Sequence, residues 1–183
     1  MPTIPFHAGI DASGRVRVGL DASGHDVRVA LLPGWRTAPG PGGLGRAVVD
    51  ALDDAVVART TAWARAIPAP RLSAPRLSTL RLSAPQERLL RQAHQELAEF
   101  RQRLAELRAE PVTVEVAGVR VTVRHGRVAR VRITGPATSD AALASALAAA
   151  LRAALATIAA QPVTALAGSP ALRFVLGPPP FTL

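Results

Sequence analysis

The stretch Gly118-Val119-Arg120-Val121-Thr122-Val123-Arg124-His125-Gly126-Arg127-Val128-Ala129-Arg130-Val131-Arg132-Ile133 decides the fold. Val119, Val121 and Val123 alternate with Arg120, Thr122 and Arg124. Successive side chains of a strand point to opposite faces, so this pattern predicts a strand with one buried and one solvated side. His125-Gly126 is a turn pair, and the chain then returns. On the returning strand Ala129, Val131 and Ile133 are expected to share the buried face, with Arg130 and Arg132 opposite them. A third strand is expected over 112–117.

Working outward, a helix is expected on either side of this meander. From Leu90 the apolar positions read Leu90, Ala93, Leu97, Phe100, Leu104 and Leu107, a narrow seam suited to packing on another helix. Glu87–Arg91 and Glu99–Arg103 stand in the favourable i,i+4 order, and Pro111 ends the helix. After the meander, Leu143, Leu147, Leu151, Leu155 and Ile158 define a second helix over 140–160, with Thr138, Ser139 and Asp140 offering its N-cap.

The same order occurs earlier in the chain. Gly14-Arg15-Val16-Arg17-Val18 turns back into Val27-Arg28-Val29-Ala30-Leu31, and a helix over Leu44–Ala66 follows, with Val48, Leu52, Ala55 and Val56 facing a core. The twin segments Asp11-Ala12-Ser13-Gly14 and Asp21-Ala22-Ser23-Gly24 suit tight turns. The expected class is therefore α+β: two copies of a three-stranded antiparallel meander with flanking helices. The second copy reads α-β-β-β-α, and the first lacks the leading helix. The expected divisions are 1–66 (first copy), 67–85 (linker), 86–161 (second copy) and 162–183, a Pro- and Gly-rich tail expected to be loosely ordered.

Only 3% of residues are aromatic while 49% are apolar, so the core must be made of Val, Leu and Ala. One copy alone buries too little surface to be more than marginal. Pairing is the expected remedy, either as a homodimer or as a pseudo-dimer within one chain; the sequence leaves both open. Cysteine is absent, which excludes disulfides and thiolate chemistry. No bilayer-spanning run and no membrane partner are expected, and the expected location is cytoplasmic.

The 22 basic residues are all Arg and outnumber the 13 acids, for a formal charge of +9. A basic surplus favours an anionic partner. The absence of Lys and Asn beside abundant Ala, Gly, Pro and Arg also suggests a GC-rich coding sequence. The surplus sits mainly in the linker and the second sheet. Residues 111–140 hold five Arg against the two acids Glu115 and Asp140, whereas 1–66 hold seven Arg against six acids. Arg120, Arg124, Arg127, Arg130 and Arg132 thus form a candidate phosphate-binding face. Filling of an exposed face by a soluble side chain explains them equally well. Arg71, Arg76 and Arg81 recur in Arg-Leu-Ser units of the Pro- and Ser-rich linker and are candidates to assist, with a spacer as the simpler role.

Catalytic groupings are not apparent. His7, His25, His94 and His125 are scattered without metal-ligand spacing. Gly40-Pro41-Gly42-Gly43-Leu44-Gly45 precedes a helix but lacks the Lys and Ser/Thr of a phosphate-binding loop. The expectation is a non-enzyme with no cofactor, no metal and no small-molecule substrate.

The order helix, three-stranded meander, helix over 86–161 resembles the YbaB/EbfC family of bacterial nucleoid-associated proteins. The segment from Gly14 to Pro33, with Leu44-Gly45-Arg46-Ala47-Val48-Val49-Asp50-Ala51-Leu52, is similar to the family's hairpin and closing helix. The resemblance implies a small α/β core, homodimerisation and binding of duplex DNA with weak sequence preference. The chain departs from the pattern in being doubled, in its linker and in its tail. The expected function is non-specific DNA binding through Arg–phosphate contacts in the nucleoid. The alternative is a protein-interaction or scaffold module using the helix over 87–110. About five phosphate contacts would give a log–log salt slope of roughly −4 to −5.

Overall fold

The computed structural model of the chain describes residues 6–39, 43–67, 83–136 and 139–176. Its first meander comprises β1 (His7–Ile10), β2 (Val16–Leu20) and β3 (Val27–Leu31), followed by helix α1 (Leu44–Ala66). Helix α2 (Ala84–Ala109) leads into β4 (Val112–Val116), β5 (Val119–Arg124) and β6 (Arg127–Ile133). Helices α3 (Asp140–Leu166) and α4 (Pro170–Leu176) follow. The sheets are antiparallel with orders β1-β2-β3 and β4-β5-β6, the α+β arrangement of two meander copies.

Two compact units emerge. One takes the described residues of Met1–Pro68 and Pro111–Ile158; the other takes those of Ala69–Glu110 and Ala159–Leu183. Both meanders, α1 and α3 as far as Ile158 therefore lie in the first unit. A single apolar core joins the copies: Val16, Val18, Leu20 and Val27 with Leu44, Val48 and Leu52, and Val119, Val121 and Val123 with Leu143, Leu147 and Leu151. Leu44, Val48, Leu52 and Ala55 are spaced along α1 as Leu143, Leu147, Leu151 and Ala154 are along α3, and all eight are buried. The copies thus pair within one chain as a pseudo-dimer.

Each helix also reaches the other copy. Helix α1 packs on β1, β2 and β6. A Cβ added to Gly45 would lie 2.1 Å from the Val131 carbonyl oxygen, so the start of α1 meets β6 backbone to backbone. On the other side, Asp140 at the start of α3 pairs with Arg36 at 2.6 Å, and Arg152 of α3 pairs with Asp26 ahead of β3 at 3.6 Å. Gly9 of β1 is equally tight: a Cβ there would stand 2.2 Å from the Ala51 carbonyl oxygen and the Ala55 amide nitrogen of α1.

The twin Asp turns are nearly superposable in chemistry but not in burial. One carboxylate oxygen of Asp11 accepts the Arg15 and Val16 amides at 2.9 and 2.7 Å, and the other accepts the Ser13 amide at 3.0 Å and the Ser13 hydroxyl. Asp21 accepts the Asp26 amide at 2.9 Å and the Ser23 hydroxyl. Burial by itself would raise both carboxyls. The hydrogen bonds from the serine hydroxyls and backbone amides outweigh it and hold both below the ordinary aspartate range.

In the second unit α2 packs on α4. The Ser83 amide donates to Gln86 Oε1 at 2.8 Å, half of a capping box that starts α2 at Ala84, ahead of the expected helix over 87–110. The stretch after Pro162 was expected to be loosely ordered. Instead α3 continues through Pro162 to Leu166, and α4 forms from Pro170. The reason is long-range. The buried Glu96 carboxylate of α2 accepts the Leu172 amide at 2.8 Å, and Arg103 donates to the fully buried Ser169 hydroxyl at 2.9 Å. A carboxylate at a helix N-terminus satisfies an orphan donor and meets the positive end of the dipole.

The longer α3 also corrects the expectation that no run is long and apolar enough for a bilayer. Its 27 residues include an 18-residue window of mean hydropathy 1.8. A third of that window is buried, Leu143, Leu147, Leu151 and Ala154 lying in the core.

Candidate nucleic-acid interface

The outward face of the second sheet is built by strict alternation on β4 and β5. Val119, Val121 and Val123 are buried, while Arg120 and Arg124 are exposed. Register aligns the outward residues in rows. Glu115, Arg120 and Arg132 form one row across the three strands, and Thr113, Thr122 and Arg130 form the next. Arg124 lies opposite Arg127 beside the turn.

Strand β6 departs from the expected alternation. A register shift between Thr122 and Val123 leaves Ala129 without a partner, so Val128 and Val131 are the inward residues. Ala129 is exposed rather than buried, and Ile133, opposite Val119 near the strand end, stays 37% exposed. The extra residue is a β-bulge, which re-aims side chains and increases local twist. Arg130 and Arg132 remain outward as expected, and Arg127 is exposed at the turn.

The five sheet arginines are not equivalent. Arg120 pairs with Glu115 at 2.8 Å, and Thr134 donates to the same carboxylate at 2.9 Å. The hydrogen bond from Arg120, then that from Thr134, hold the Glu115 carboxyl below the ordinary glutamate range. Arg124, Arg127, Arg130 and Arg132 have no carboxylate partner among the described residues. Two like-charged pairs thus face each other across strands, Arg120 with Arg132 and Arg124 with Arg127. Such pairs are destabilising. Arg71, Arg76 and Arg81 lie outside the described residues.

An open groove of about 570 Å³ runs between α1 and β6. Arg46, Asp50 and Asp53 line it from the helix, and Arg127, Arg130 and Arg132 from the strand. Arg46 pairs with Asp50 at 3.2 Å. The two aspartates belong to the first copy in sequence and reach the Arg face only because the copies pair. Among the described residues the outward face of the first sheet carries fewer arginines, Arg17 and Arg28. Its outward positions include Ala8, Gly19 and Ala30, and Arg28 is stacked 4.0 Å from the Phe6 ring centroid. Among the described residues no three His, Asp or Glu side chains gather where a metal could sit.

Fold and site together define a class: a tandem α+β pseudo-dimer with one arginine-lined sheet face. No family model, no curated protein and no solved structure matches the chain.

Proposed function

We propose that this protein binds duplex DNA without marked sequence preference, through arginine contacts to backbone phosphates, as a nucleoid-associated protein of YbaB/EbfC type. One observation carries the reading. Arg124, Arg127, Arg130 and Arg132 share one exposed surface with no carboxylate partner among the described residues, and Arg124 directly opposes Arg127. An arrangement that merely kept a face soluble would intersperse acids. Bound phosphates relieve the repulsion, and guanidinium groups grip them bidentately. Such contacts position the backbone and carry no sequence information.

Pairing of Arg120 with Glu115 lowers the expected number of phosphate contacts from five to four on this face. The log–log salt slope is then about −3.6. Fluorescence anisotropy with a random-sequence duplex across a salt series tests the proposal. A flat salt response contradicts it.

One observation favours the alternative, a protein-interaction module in the second unit. Phe174 of α4 is 76% exposed and Val163 of α3 is 68% exposed, apolar side chains that a partner would cover. Phe174→Ala combined with Val163→Ala would abolish partner capture under this reading and leave DNA binding unchanged.

A further inference from the structure

The α1–β6 groove is assembled from both copies. Its helix wall belongs to the first and its strand wall to the second. Backbone contact at Gly45 sets the wall separation, and Arg46 is the next residue along. The Arg46 side chain is 83% exposed at the rim, with its Nε 3.2 and 3.3 Å from the two Asp50 carboxylate oxygens. Across the groove stand Arg127, Arg130 and Arg132. Asp53 also lines the groove and has no basic partner among the described residues. Four guanidinium groups face two carboxylates, so the groove keeps a positive surplus, and a cleft lined by one dominant sign focuses its field.

The pseudo-symmetric position is different. At the spacing that matches Leu44 to Leu143, Arg46, Asp50 and Asp53 of α1 become Ser145, Ala149 and Arg152 of α3. Arg152 is already paired with Asp26. The basic groove therefore exists on one side of the pseudo-dimer.

We infer that this groove is a seat for successive backbone phosphates of duplex DNA, with Arg46 of α1 joining Arg127, Arg130 and Arg132 of β6. The inference rests on the DNA-binding proposal and adds to it a residue from the first copy and a site composed of both. Its ligand chemistry is a run of phosphodiesters held by planar forks from two walls. Arg46 swings from Asp50 to the phosphate on binding, and Asp53 opposes the ligand. Phosphate contacts therefore number five, for a salt slope of about −4.5.

The test uses the full-length chain with a labelled random-sequence 20-bp duplex, comparing wild type, Arg46→Ala, Asp53→Asn and, away from the groove, Arg124→Ala. Arg46→Ala is expected to weaken binding about tenfold at low salt and to reduce the slope by about 0.9. Asp53→Asn is expected to tighten binding several-fold. Thermal melts guard against misfolding, and both side chains being at the groove surface, neither melt should shift. If wild type and Arg124→Ala respond as DNA binding requires while Arg46→Ala and Asp53→Asn match wild type, the groove seat is overturned and the DNA-binding reading stands. If wild type does not bind at low salt, the DNA-binding reading fails and this inference with it.

Discussion

Replacing Asp11 with Ala should destabilise the first unit by about 3 kcal/mol, and the same change at Asp21 by only about 1 kcal/mol, although both sit in an Asp-Ala-Ser-Gly turn. Asp11 is 5% exposed and accepts three backbone amides, one of them the buried amide of Val16. Without the carboxylate that amide has no water to turn to, which costs about 1–3 kcal/mol, and the two partly buried amides add roughly 0.5 kcal/mol each. Asp21 accepts the Asp26 amide on an exposed turn, and that amide can exchange its partner for solvent. Using two copies of one tetrapeptide removes most of the unfolded-state contribution from the comparison. Urea unfolding is the assay. With a slope of about 2 kcal/mol per molar, the midpoints of the two variants should differ by roughly 1 M. The acid limb is diagnostic too. A carboxyl depressed in the folded state stabilises above its unfolded pKa, and that contribution is lost as pH falls through the folded value. Asp11 is held below the ordinary range, so wild type loses stability in that acid window and Asp11→Ala loses less of it. Equal midpoints for the two variants, or an unchanged acid limb in Asp11→Ala, would refute the reasoning.

Three further outcomes are expected. Gly45→Ala sets a methyl 2.1 Å from a backbone oxygen that cannot rotate away, so it should destabilise by about 1–3 kcal/mol by thermal melt, with a comparable penalty at Gly9. Glu96→Ala should release the N-terminus of α4, so the Leu172 amide would exchange with deuterium at least tenfold faster while amides of the first unit keep their protection. Glu115→Gln should free Arg120 for phosphate and remove a negative charge from the face, tightening DNA binding and steepening the salt slope by up to about 0.9.

Much of the architecture was legible because it is written in local periodicity. Alternating Val and Arg on β5 and the His125-Gly126 turn define the second meander, and Leu spacing defines α1 and α3. The rest depends on contacts distant in sequence. The bulge at Ala129 arises from the register β6 adopts against β5, and strict alternation on a single strand cannot reveal it. Helix α4 depends on Glu96, 76 residues before the amide it caps. Pairing within or between chains buries the same side chains, so the pseudo-dimer had no local sign, and the approach of Gly45 to Val131 emerges only from the packing. For the candidate site, the outward Arg of the second sheet followed from parity. The pairing of Arg120 with Glu115 required the cross-strand register, and the approach of Arg46, Asp50 and Asp53 required the packing of one copy on the other.

The most direct measurement is the salt dependence of anisotropy for the full-length chain on a random duplex, with Arg130→Glu plus Arg132→Glu in parallel. The account predicts micromolar or tighter binding at low salt with a slope between about −3.5 and −4.5, and near-complete loss in the double variant. Binding that is insensitive to salt, or a double variant that binds as wild type does, would contradict it.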